Sequence, residues 1–232
     1  MTNHPALRAL YPFLPGAISP LASEAASRLE EALLESVRQK ARESIQVKEE
    51  FFAAHAAQVV ETARAMAGTY QRGGRLLTIG NGGSSCDAAH IAVEFLHPIT
   101  AGRPALSAVN LAADPAMMTA VGNDVGFAHI FRRQVIAQGR REDALLGVST
   151  SGNAENLLAA FAKAKEMGMV TIGLAGGTGG RMRESADVDH CLVVESDSVH
   201  RVQECHVAIY HILWDLAHTL LAGERGGRKE LG

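Results

Sequence analysis

RLLTIGNGGSSCDAAHIAVEFL, residues 75–96, decides how the rest of the chain is read. Arg75 to Ile79 is a short apolar run ending in glycine, which marks a buried strand, and helical spacing begins at Ser84 or Ser85 as the expected cap. Strand, tight glycine loop and helix form half of a βαβ unit. The same alternation continues downstream. Ala105–Leu111, Asp143–Ser149, Met169–Gly176 and His190–Ser196 are strand candidates, and Asp114–Val121, Phe127–Gln138, Ala154–Met167 and about Ser198–Leu221 are helix candidates. Continuous apolar strands between helices imply a parallel sheet covered on both faces. The expected fold is therefore a three-layer α/β/α sandwich with five parallel strands in the flavodoxin-like order 2-1-3-4-5.

Upstream, Leu21 to Ala67 contains neither Gly nor Pro, and Leu29, Leu33, Leu34, Val37, Phe51, Phe52, Val59, Val60, Ala63 and Met66 recur at helical spacing. One long helix or two consecutive ones fit, ending at the Gly73-Gly74 pair. The expected organisation is an N-terminal extension and oligomerisation helix over 1–48, an α/β domain over 49–222, and a polar, unstructured tail over 223–232. The segment containing Leu10, Tyr11, Pro12 and Phe13 has no assigned role.

Composition excludes several classes. The chain has 232 residues, 47% of them apolar, with 22 Lys+Arg against 25 Asp+Glu and a net charge of −3. A dedicated nucleic-acid binder is expected to be more basic. The most apolar stretch, Val207 to Ala222, is broken by His211, Asp215 and His218, so no membrane span is expected. The first residues lack the charged and apolar regions of a signal peptide, which points to the cytoplasm. Three scattered cysteines, Cys86, Cys191 and Cys205, read as reduced thiols, and Cys86 reads as a small residue rather than a nucleophile.

Two loops fall beyond strand ends: Gly80-Asn81-Gly82-Gly83-Ser84 and Ser149-Thr150-Ser151-Gly152-Asn153. In the 2-1-3-4-5 order their strands are neighbours, so both loops face one crevice. Small residues, hydroxyls and helix-start amides favour an anion there. Neither loop has the lysine of a nucleotide P-loop or the glycine spacing of a dinucleotide site, so a phosphate monoester is the better guest. On the following helix His90 and Glu94, four apart, share one face and suit a divalent metal or a division of acid and base duties. The last helix offers Gln203, Glu204, His206 and His211. Gln203 and His211 lie about 12 Å apart along a straight helix and roughly 80° apart around it, too far for one ion. Either they serve different sites or subunits, or only one is a ligand, and His206 competes with His211. Val121-Gly122-Asn123-Asp124 reads as a helix end with a turn.

IGNGGSSCDAAHIAVEF, AVGNDVGF, LLGVSTSGN and RVQECHVAIYH together resemble, in order and spacing, the phosphoheptose isomerases of the sugar isomerase (SIS) domain family, over roughly Glu49 to Leu221. The resemblance implies an aldose-ketose isomerase that converts sedoheptulose 7-phosphate to D-glycero-D-manno-heptose 7-phosphate through an enediol. It implies a homotetramer with active sites at subunit interfaces. It places Asn81, Gly82, Gly83, Ser84, Glu94, Asn123, Asp124, Ser149, Thr150, Ser151 and Gln203 against the substrate. It implies Zn2+ at His90, Glu94, Gln203 and His211, with Glu94 as base and His211 as acid. Two positions depart from the family pattern: Pro98 stands where an arginine is common, with Arg103 or His97 as substitutes, and Ala154 stands where serine often follows STSGN. The alternatives are a non-catalytic scaffold resembling the DnaA initiator-associating protein and an isomerase of another sugar phosphate.

Overall fold

The computed structural model describes residues 23–229, with side chains over 28–223. The chain divides into two compact units, Met1–Glu43 and Ser44–Gly232. The segment around Tyr11 lies outside the described residues.

Helix α1 runs unbroken over Ser23–Gln71, because no Gly or Pro interrupts it before Gly68. In the first unit its Leu29, Leu33, Leu34 and Val37 are exposed. In the second unit the same helix buries Phe51, Val59, Ala63 and Met66. Strand β1 (Leu76–Gly80) and helix α2 (Gly83–Leu96) follow, then β2 (Ala108–Asn110) and α3 (Pro115–Asp124). A 3-10 turn at Phe127–His129 leads into α4 (Ile130–Gln138). Then come β3 (Ala144–Ser149), α5 (Glu155–Glu166), β4 (Val170–Gly176), the short α6 (Gly180–Glu184), β5 (His190–Val194) and α7 (Val199–Lys229).

The five strands are parallel in the order β2-β1-β3-β4-β5, as the sequence pattern implies. Alternation along the strands sorts the core into two layers. Leu76, Leu146, Val148, Ile172, Leu174, Leu192 and Val194 pack with residues of α1, α2 and α7. Leu77, Ile79, Leu145, Ala175 and Val193 pack with residues of α3, α4, α5 and α6. The register sets Gly80 beside Val148 and Ser149 beside Ala175, so the loops after β1 and β3 leave adjacent strands at the same edge.

Several boundaries differ from expectation. The second strand shrinks from 105–111 to three residues, and the helix over 127–138 opens with a 3-10 turn behind Gly126 at φ 100°. The last helix does not stop near Leu221 but continues to Lys229, so the tail expected over 223–232 is helical at least that far. The cap of α2 is Gly82, not Ser84 or Ser85: Gly82 adopts φ 53°, Ser84 is buried in the first turn, and the Ser85 hydroxyl donates back to the Gly82 carbonyl. Among the described residues no helix is long and apolar enough to cross a membrane.

Candidate active site

The loop after β1 is built by close approaches. A side chain at Gly83 would place its Cβ 2.5 Å from the Gln203 amide nitrogen. The Asn81 amide is committed to α5: Asn81 and Asn156 exchange two hydrogen bonds of 2.9 Å. Asn156 is buried, and it ties the two loops together. The second loop is braced from β4 and α6. Gly152, at φ +65°, lies so close to the Gly179 carbonyl that a Cβ would sit 1.9 Å from its oxygen. Its own carbonyl accepts from Met182 N, and Asn153 Oδ1 accepts from Arg181 N. Ser149 is buried with its hydroxyl accepting from Gly152 N, while Thr150 is half-buried and Ser151 exposed.

About 10 Å further along α2, seven residues past Gly83, stands His90. Its Nε2 lies 3.1 Å from Glu94 Oε1, and its Nδ1 lies 2.8 Å from the Tyr210 hydroxyl. His211 comes up from α7, its ring centroid 5.1 Å from that of His90 and nearly perpendicular to it. One ligand atom from each of His90, Glu94 and His211 lies within 4.8 Å of the others. Two imidazoles and a carboxylate at that spacing are a donor set that fits zinc or another borderline divalent ion. Burial lowers the His211 pKa, as does neighbouring His90, while Glu94 pulls the other way. Asp87, one turn before His90, is half-buried with one carboxylate oxygen lacking a hydrogen-bond partner, and burial raises its pKa against the pull of His90.

Helices α2 and α7 run parallel on one face of the sheet, which explains the placement of Gln203. That residue meets Gly83 at the start of α2 while His211 meets His90 and Glu94 further along. Within one chain the four expected ligands therefore separate into a trio and an outlier, following the helical rise. His206 is no competitor: it is fully buried, with Nε2 against the Ala175 carbonyl of β4. Asn123 and Asp124 stand exposed in the last turn of α3, the Asn123 amide donating to Asp124. The backbone of Glu94 is held as well, since Trp214 Nε1 donates to its carbonyl at 2.8 Å, satisfying one of the open acceptors of the last turn. Arg103 is not a loose cation near Pro98: it pairs with Asp215 and lies 4.8 Å over the Trp214 ring. His97 is exposed as the C-cap of α2.

Sequence reasoning missed Asn156 and Tyr210. Both are polar residues set in apolar helical stripes, Asn156 beside Leu157, Ala160, Phe161 and Ala164, and Tyr210 among Val202, Cys205, Ile209, Leu213 and Ala217. A buried amide or phenol must find a partner, and that requirement is the signal that would have found them.

Known proteins resemble this chain over most of its length. The SIS domain family model matches residues 41–176. The phosphoheptose isomerase of Desulfovibrio desulfuricans is 42% identical over 194 residues, covering 83% of this chain and 91% of that protein. The Helicobacter pylori phosphoheptose isomerase is 46% identical over 147 residues, 63% of this chain and 76% of that protein. Among solved structures, a phosphoheptose isomerase from Francisella tularensis superposes with TM-score 0.76 at 37% identity, over 80% of this chain and 98% of that one. The phosphoheptose isomerase of Neisseria gonorrhoeae gives TM-score 0.75 at 36% identity, over 81% and 99%. With its parallel sheet, its paired loops and the His90–Glu94–His211 trio, the chain belongs to the SIS domain family and, within it, to the phosphoheptose isomerases.

Proposed function

We propose that the protein is an aldose-ketose isomerase that interconverts sedoheptulose 7-phosphate and D-glycero-D-manno-heptose 7-phosphate through an enediol. The observation that carries this reading is the Glu94 carboxylate, gathered with two histidines of which His90 stands about 10 Å along α2 from the glycine-rich loop after β1. An extended seven-carbon chain has its carbonyl and its phosphate about that far apart. Asn81, Gly82, Gly83, Ser84, Ser149, Thr150 and Ser151 take the phosphate end through backbone N–H groups and hydroxyls at helix starts. Asn123, Asp124 and Gln203 serve the sugar hydroxyls.

Glu94 removes a proton from C1 of the ketose while His211 gives one to the C2 oxygen, which leaves the enediol. Return of a proton to C2 and loss of the C1 hydroxyl proton yield the aldose. His90, Glu94 and His211 would hold Zn2+, which when bound supplies polarisation of the carbonyl. The protein works as a homo-oligomer, a tetramer, in the cytoplasm. Gln203 of a second copy completes the trio, and the exposed leucines of residues 1–48 provide assembly surface.

Two variants test this reading together. Glu94→Gln is expected to lose activity by about 10²–10⁴-fold or more with the fold and phosphate binding retained, and near-normal turnover would contradict the role of Glu94 as base. Gln203→Ala is expected to be weakly active alone. Co-assembly of the two variants should restore activity, because some sites then combine an intact trio with an intact Gln203; no recovery in mixed oligomers would place Gln203 outside the shared site.

A further inference from the structure

We propose that Tyr210 is a positioning residue, whose hydroxyl, 2.8 Å from His90 Nδ1, fixes the His90 ring and completes its hydrogen bonding in either tautomer. The inference rests on the reading of His90, Glu94 and His211 as a metal-holding catalytic trio. Tyr210 is 3% exposed, and its ring makes edge contacts with both histidines, centroids 5.4 Å from His90 and 4.8 Å from His211. With His90 and His211 themselves 5.1 Å apart, the three rings form a triangle of edge contacts, one corner on α2 and two on α7.

The chemistry of the three partners defines its role. A carboxylate only accepts, so the 3.1 Å contact to Glu94 makes His90 Nε2 the protonated nitrogen. Nδ1 then carries a lone pair and accepts from the Tyr210 O–H. When the Nε2 lone pair is given to a cation, the ring proton belongs on Nδ1, which must donate. A phenol serves both states by turning its hydroxyl, whereas a backbone carbonyl or a carboxylate serves only one. Metal-bound histidines owe their orientation to such a partner on the other nitrogen. Phenylalanine at 210 would keep the packing and leave Nδ1 without a partner in both states.

Tyr210→Phe, compared with the unaltered full-length chain, tests this. In the metal-free proteins, long-range ¹H–¹⁵N NMR of the His90 ring should show the Nε2–H tautomer in the wild type and a mixture of tautomers in the variant. Zn2+ affinity, read by competition with a chelating dye, should fall about 10–100-fold. Equal tautomer populations and zinc affinity within twofold would overturn the proposal. A wild type that binds no zinc would instead remove the metal reading, while the metal-free NMR comparison would still decide the role of Tyr210. If the variant does not fold, the wild-type Nδ1 shift decides: that of a hydrogen-bonded acceptor supports the proposal, and that of a free one overturns it.

Discussion

Ala154 shows what a single departure from the family pattern costs. It is the N-cap of α5, with extended backbone at φ −68° and ψ 113° and no side-chain bond to the helix amides. Serine there would satisfy one open donor, so Ala154→Ser is expected to raise stability by about 1 kcal/mol. In thermal unfolding that corresponds to a Tm higher by about 2–4 °C; an unchanged or lower Tm would show that the cap amides already have partners in solution. Single residues differ most in how far the sequence alone reveals their roles. His90 and Glu94 were legible because four-residue spacing fixes a shared helix face. Preferring His211 to His206 needed the family resemblance, since both lie on α7 and only packing shows that His206 turns under β4. Asn156 and Tyr210 were hidden because their partners, 75 and 120 residues away, are brought close by tertiary structure alone.

At the scale of elements, α7 is the part that joins stability to the site. One stripe of it buries Val202, Cys205, His206, Ile209, Tyr210, Leu213, Trp214 and Ala217, while the adjoining edge presents His211. His206 anchors this helix to the sheet through Ala175. Burial pushes its pKa from 6.5 down to about 4, partly offset by that carbonyl, and its Nδ1 has no partner. A histidine with a depressed folded pKa leaves stability intact above pH 6.5. As the pH falls from 6.5 towards 4 the unfolded chain takes up a proton that the folded one refuses, so stability is lost. The shift corresponds to about 3 kcal/mol. Urea unfolding at pH 7 and pH 4.5 should therefore show a smaller acid loss in His206→Asn than in the wild type; the same loss in both would mean that His206 is not the group responsible. The strand-helix order was legible because apolar runs bounded by glycine leave few alternatives. Boundaries were less so: the cap of α2 moved to Gly82 because the left-handed turn there, rather than a serine hydroxyl, starts the helix.

At the scale of the molecule, parallel topology does the positioning. The order β2-β1-β3-β4-β5 puts the ends of β1 and β3 side by side, and the parallel course of α2 and α7 on one face carries Gln203 and His211 past successive points of α2. Helix α7 is unbroken from Gln203 to His211, so within one chain His90, Glu94 and His211 come together while Gln203 meets the start of α2. Proton movement between adjacent carbons of a heptose phosphate is the activity proposed for this assembly. It is tested most directly by incubating sedoheptulose 7-phosphate with the protein in D2O, with zinc and with chelator, and following the carbon-bound protons by NMR. Deuterium is expected to enter next to the carbonyl as aldose forms, and both should fail in chelator. Folded protein with zinc that gives neither exchange nor aldose from this substrate would contradict that activity.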